Sequence, residues 1–204
     1  MNHENNCRNT NSKMHDCRHM GKRRGPSSFF KHDSVRVFEQ LALKEGDAVL
    51  DLGCGAGDYS IFAAKQVGES GYVYALDLHQ GMLDNVKKEA MAQGIINLYP
   101  VFSDIRDRID LPDDLIDTCL LATVLHTMSL PSESKKLFGE VRRVLKPEGK
   151  LAVIECKKEN TLHGPPLQMR ISPQELEKAL GENGFKKTAY IDLGFNYMMT
   201  FDLC

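Results

Sequence analysis

Two carboxylates bracket three alternating glycines in the stretch 51–58, read DLGCGAGD. Gly53, Gly55 and Gly57 alternate with Cys54 and Ala56, between Asp51 and Asp58. Glycines this dense allow positive φ and let a ligand approach the backbone closely. A dinucleotide fingerprint needs G-x-G-x-x-G at the mouth of a helix, and its third glycine position is here Asp58. Carboxylates on both sides of the loop repel a pyrophosphate and attract a ligand that carries ammonium or sulfonium charge. A tight turn that binds nothing is the alternative.

Further chemistry-bearing residues fall at the ends of apolar runs. Asp77 closes YVYALDL and suits ribose hydroxyls, since an acid about twenty residues past such a loop takes that role; it can equally cap the helix that follows. Ser103-Asp104 ends NLYPVF, and Asp104 is otherwise a surface turn acid. His126 and Glu155 lie near the ends of two later runs. They are the candidate acid–base residues, with hydrogen-bonded structural roles as the alternative. His15, Cys17 and His19 alternate near the start, after Cys7. They are soft ligands, but at a spacing that matches no standard metal site, so no metal residues are assigned.

The elements that must carry these residues alternate between strand and helix. Ala48–Leu50 begins a buried strand, and Ile61, Phe62, Ala64 and Val67 fall on one face of a helix after the loop. Asp33 or Ser34 can cap a helix to about Leu43. The stretch 79–94 is amphipathic and closed by Gly94. Strands are expected at 97–102, 115–121 and 151–155, with a helix over 131–145 and a Lys-Pro-Glu-Gly turn at 146–149. In that helix Arg142 and Arg143 fall beside the apolar stripe and are expected in water. Residues 157–171, with Gly164-Pro165-Pro166, read as a linker over the ligand edge. Ser172 to Glu175 is a capping box with proline at the first helical position. The segments 186–193 and 196–203 read as a terminal antiparallel hairpin.

The 204 residues suffice for one domain with its own core. Hydrophobic residues make up 42% and charged residues 26%, ordinary values for a globular chain. A net charge of −2 advertises no nucleic-acid partner. No apolar run is long enough for a membrane span, and the polar start lacks a secretory core. The expected location is therefore cytoplasmic, with the six cysteines as free thiols. Residues 1–33 form a polar, basic segment: a tail, a metal or metalloid site, or a lid that part of residues 13–33 forms over the ligands, anchored by Phe29 and Phe30. The folded domain spans 34–204.

The glycine loop, Asp77, Asp104, the strand before His126, the Lys-Pro-Glu-Gly turn and the closing hairpin together resemble the class I methyltransferases that use S-adenosylmethionine. The likeness covers about residues 34–204. It is nearest to small methyltransferase-domain proteins related to ubiquinone/menaquinone-biosynthesis and arsenite methyltransferases. It implies an α/β, Rossmann-like seven-stranded sheet of order 3-2-1-4-5-7-6, the last strand antiparallel, with helices on both faces. It implies S-adenosyl-L-methionine as cofactor, held by Asp51, Gly53, Cys54, Gly55 and Gly57, by Asp77, Leu78 and Met82, and by Ser103, Asp104, Ile105 and Ala122. In that role Asp104 accepts from the adenine amino group. The implied activity is methyl transfer to a small-molecule or protein acceptor that the motifs do not name. No N-P-P-Y-like run follows the fourth strand, which argues against a nucleobase. Two alternatives stay open: a thiol or metalloid acceptor such as arsenite, held by Cys7, Cys17 or Cys156, and a non-catalytic cofactor-binding module. Oligomeric state is left open.

Overall fold

The computed structural model describes residues 27–161 and 163–204. One sheet contains β1 (Ala48–Leu52), β2 (Tyr72–Asp77), β3 (Leu98–Phe102), β4 (Ile116–Ala122), β5 (Leu145–Cys156), β6 (Phe185–Leu193) and β7 (Asn196–Leu203). Its order is β3-β2-β1-β4-β5-β7-β6, the order implied by the resemblance. β1 to β5 pair in parallel, and β7 runs antiparallel to both β5 and β6.

Strand alternation sends successive side chains to opposite faces, and the two cores divide accordingly. Leu50 and Leu52 of β1, Cys119 and Leu121 of β4, and Leu151 and Val153 of β5 share a core with α4 (Leu130–Val144) and α5 (Pro173–Gly181). Val49, Leu120, Ala152 and Ile154 share the other with α1 (Ser34–Leu41), α2 (Asp58–Val67) and α3 (Gln80–Ala92). By the same parity Asp51 belongs to the α2 face and Glu155 to the α4–α5 face. Among the described residues no helix is long and apolar enough to cross a membrane.

Local chemistry sets the helix ends. Asp33 caps α1 by accepting from Val35 N at 3.0 Å. Ser172 and Glu175 form a reciprocal capping box at α5, satisfying amides that the helix leaves unpaired. Gly57 opens α2 at φ 77°, and a Cβ there would lie 2.5 Å from Val86 Cγ2.

Three local expectations are corrected. The Lys-Pro-Glu-Gly turn lies within β5 as an irregularity: Ile116 pairs with Leu145 and Thr118 with Lys150. Gly149 is needed there because a Cβ would sit 2.9 Å from the carbonyl oxygens of Ile116 and Lys146. Arg143 does not reach into water. Its guanidinium donates to the carbonyls of Ile109 at 2.7 Å and Leu111 at 2.9 Å, and pairs with Glu140 and Asp113, clasping the loop between β3 and β4. Of the two aromatic anchors, Phe29 is buried against Phe38, Tyr59 and Phe62, but Phe30 is 57% exposed. Cys7, His15, Cys17 and His19, and most of the expected lid, lie outside the described residues.

Candidate active site

The glycine loop joins β1 to α2 at the carboxyl edge of the sheet. Gly53 N and Cys54 N both donate to Leu76 O, at 2.8 and 2.9 Å, and Gly57 N donates to Cys54 O. Gly55 N donates to Asp77 Oδ2 at 2.9 Å. These four amides are spent inside the protein, so they form no phosphate cradle of the kind that free N–H groups at a helix start provide. The loop's glycines differ in what surrounds them. A Cβ on Gly53 would lie 2.6 Å from Val124 Cγ2, whereas one on Gly55 would meet nothing within 4 Å. The open approach to the main chain is at Gly55.

Three buried carboxylates surround this loop. Asp51 is 1% exposed, Asp58 6% and Asp77 7%. Ser60 Oγ donates to Asp51 Oδ2 at 2.5 Å. Burial pushes the Asp51 carboxyl up to about 7; the Ser60 hydrogen bond opposes the rise, and the charges of Asp77 and Asp58 add to it. Asp77 also accepts from His79 N at 2.8 Å and lies 3.1 Å from His79 Nδ1. It therefore ties the loop to the start of α3.

Gly53, Asp77, Leu78, Ser103, Asp104 and Ile105 line one pocket of about 360 Å³, whose other wall includes Thr123, Val124, Thr127 and Met128. Of the remaining expected cofactor residues, Asp51, Cys54, Gly57 and Ala122 are buried, while Gly55 and Met82 are partly exposed outside that lining. Asp104 has a partner that the spacing did not reveal. Arg106 grips it with Nε on Oδ1 at 2.9 Å and Nη2 on Oδ2 at 2.5 Å, which holds its carboxyl below the usual range.

A family model described as a methyltransferase domain matches residues 43–193. The chain belongs to the class I S-adenosylmethionine-dependent methyltransferases. A demethylmenaquinone methyltransferase of Lactobacillus johnsonii is 34% identical over 120 residues, 59% of this chain and 48% of that protein. A ubiquinone/menaquinone biosynthesis C-methyltransferase, UbiE, of Paraburkholderia xenovorans is 34% identical over 129 residues, 62% of this chain and 51% of that one. The chain thus spans about half the length of the curated relatives it matches. The solved structure of an S-adenosylmethionine-dependent methyltransferase from Aquifex aeolicus superposes with a TM-score of 0.80 at 31% identity, covering 88% of this chain and 94% of that one. The cofactor is S-adenosylmethionine, and the loop fits it: buried acids suit a sulfonium and an ammonium, and the main chain is open at Gly55.

The methyltransferase brings its two acid–base candidates together at the other end of the ligand edge. Glu155 is fully buried at the end of β5. Its Oε2 is 3.0 Å from His126 Nδ1, and its Oε1 accepts from His126 N at 3.3 Å. A short 3-10 turn over Leu125–Thr127 presents the histidine. His126, Thr127 and Met128 line a second pocket, of about 610 Å³, so the two pockets share Thr127 and Met128.

Other residues of the site left no trace in sequence spacing. Thr123 adopts φ 57°, uncommon for a β-branched residue, and its Oγ1 donates to Ser28 Oγ at 3.3 Å. Tyr59 OH joins Ser28 Oγ at 3.1 Å and His32 Nε2 at 2.9 Å, fastening residues 28–32 beside the loop. Of the three cysteines named for a thiol or metalloid acceptor only Cys156 lies among the described residues; it is buried, and burial raises its thiol, which disfavours the thiolate form. No group of three His, Cys, Asp or Glu side chains that could hold a metal occurs among the described residues.

Proposed function

We propose that this chain transfers a methyl group from S-adenosylmethionine to a ring carbon of a hydroxylated aromatic small molecule of the quinol type. The observation that carries the reading is the pair of abutting pockets: one is lined by Gly53, Asp77 and Asp104 beside the glycine loop, which suit the donor, and the next holds a histidine and an apolar wall. The names of the curated relatives, which methylate demethylmenaquinone or act in ubiquinone and menaquinone biosynthesis, support a quinol ring as acceptor. Bound at the loop, the cofactor supplies an electrophilic methyl on sulfonium, so the protein's part is to align the acceptor, exclude water and manage one proton. Part of residues 13–33, of which only 27–33 are described, is the lid over this edge in the same reading, supported by buried Phe29 and by the link from Ser28 to Thr123. We place the enzyme in the cytoplasm.

The test is label transfer. Purified protein, methyl-labelled S-adenosylmethionine and a reduced short-chain naphthoquinone lacking the ring methyl are mixed, and the organic extract is counted and analysed by mass. Label on a ring carbon is expected. Label confined to thiols, to arsenite or to protein would overturn the acceptor class. Retained cofactor without transfer to any acceptor would support the non-catalytic module. Removing residues 1–26 should lower turnover more than cofactor affinity if the lid reading holds.

A further inference from the structure

A neutral imidazole can act as a base only at the nitrogen that carries no proton, and its partner decides which that is. An ionised carboxylate accepts and cannot donate. Glu155 therefore places the proton of His126 on Nδ1, 3.0 Å from Oε2. Among the described residues both hydrogen bonds of the Glu155 carboxylate go to His126, and no residue bonds His126 Nε2. Nε2 is the free lone pair of a histidine that lines the 610 Å³ pocket. Met128, Leu130, Met169 and Ile171 give this pocket its apolar wall, and Lys158 and Glu175, paired at 2.6 Å, stand at its rim. A fully buried carboxylate whose one charged partner is an imidazole is costly as mere scaffolding, because a neutral side chain fills such a place without the desolvation cost.

We propose that this pocket is the acceptor site, that it takes a hydroxylated aromatic ring with an apolar substituent, and that His126 Nε2 removes the ring hydroxyl's proton while Glu155 positions the imidazole. The proposal rests on the quinol reading above. The hydroxyl proton moves to Nε2. The ring carbon beside the new oxyanion forms its bond to the methyl as the carbon–sulfur bond breaks and its electron pair stays on sulfur. The ring proton at that carbon then leaves to water, and the imidazolium returns its proton to the oxygen. One proton is released per turnover.

Nitrogen NMR of histidine in the full chain, without cofactor, reads the tautomer directly: neutral His126 is expected protonated at Nδ1. Glu155→Gln should weaken that preference. Glu155→Gln and His126→Gln should each lower kcat at least about a hundredfold, the lower range for a lost general base. Acceptor KM and cofactor affinity should stay within about threefold. The loss should shrink with an acceptor whose hydroxyl is more acidic. Met169→Glu should raise acceptor KM about tenfold with cofactor affinity unchanged. A neutral His126 protonated at Nε2, a kcat within threefold of wild type in both variants, or an equal loss of cofactor affinity overturns the proposal. If Glu155→Gln does not fold, His126→Gln, which keeps its main-chain bond to Glu155, carries the kinetic test. Ring methylation that survives in the variants sinks this inference alone, whereas a wild type that methylates no hydroxylated ring sinks the quinol reading with it.

Discussion

Around the glycine loop the ligand edge is built largely of main chain, whereas around His126 it is built of side chains drawn from distant stretches. The loop's amides bond to Leu76 O and to Asp77, so residues 53–77 fix the loop itself, and residues 103–106 and 123–128 add side chains to its pocket. The acceptor end needs His126 after β4, Glu155 at the end of β5, the linker and α5. What gathers the linker is Arg170, 4% exposed, which donates to the carbonyls of Lys157, Glu159, His163 and Pro165 at 2.7–3.2 Å. It also sits over the Phe195 ring. Main-chain sites demand glycine at fixed spacing. Side-chain sites demand buried polar groups, which can come from anywhere in the chain.

The hardest blow to the donor end is Gly53→Ala. Its φ of 74° disfavours any side chain, and the added Cβ would lie 2.6 Å from Val124 Cγ2. A loss of about 3 kcal/mol in stability is expected, together with a cofactor affinity at least about a hundredfold weaker. Thermal unfolding and calorimetric titration check it. Gly55→Ala sharpens the comparison, because its Cβ points into open space. Its affinity loss should exceed its stability loss, and unchanged affinity would remove the cofactor from that side of the loop.

At the acceptor end the matching variant is Arg170→Ala. Losing hydrogen bonds from a buried cation to four carbonyls should cost about 2–3 kcal/mol. The acceptor's kcat/KM should fall with the linker, while cofactor affinity stays within about twofold. Equal loss of both would show that the two ends are one unit.

The same contrast governs what the sequence discloses. The glycine spacing, the capping box at Ser172 and the strand ends at Asp77 and Glu155 are local, and each was legible from neighbouring residues. The sheet order required the family resemblance, since periodicity says nothing about which strand lies beside which. Arg143 and Arg170 were not legible. A long side chain that reaches carbonyls many residues away leaves no periodic mark, and Arg143 sits beside its helix's apolar stripe, where water is the default reading. His126 and Glu155 were each visible as strand-end residues, but their pairing depends on β4 and β5 being neighbours. Asp104 was read without Arg106 because a grip on a residue two positions away is a loop conformation, not a pattern.

The two ends also bury their acids differently, and pH separates them. Among the described residues Asp77 and Asp58 are the charged neighbours that raise the proton affinity of Asp51, while Glu155 faces an imidazole. Asp51 titrates at about 7 when folded and near 3.9 when unfolded. Between those values the folded chain holds a proton that the unfolded chain lacks. Its contribution to stability therefore falls as pH rises through this window and is flat above the folded value. Asp51→Asn, measured without cofactor, should be about 4 kcal/mol more stable than wild type at pH 8, with the gap closing towards pH 4. A gap independent of pH would mean that the buried acid is ionised throughout.

The smallest expected effect settles how Asp77 divides its lone pairs. A carboxylate offers about four acceptor positions. Oδ1 faces both His79 N and His79 Nδ1, and Oδ2 takes Gly55 N. One position, on Oδ2, is left for a ribose hydroxyl. Asp77→Ala should therefore lose a single charge-assisted bond to the cofactor, at the low end of about 1.5–3 kcal/mol, or roughly tenfold in affinity. Because Gly55 also loses its acceptor, stability must be measured alongside. His79→Ala frees a second position without touching the loop. If Asp77 holds ribose, this variant should bind S-adenosylmethionine at least as tightly as wild type, while Asp77→Ala binds more weakly. If Asp77 serves only the loop and the helix start, affinity in Asp77→Ala will fall no further than its stability loss explains, and His79→Ala will leave affinity unchanged.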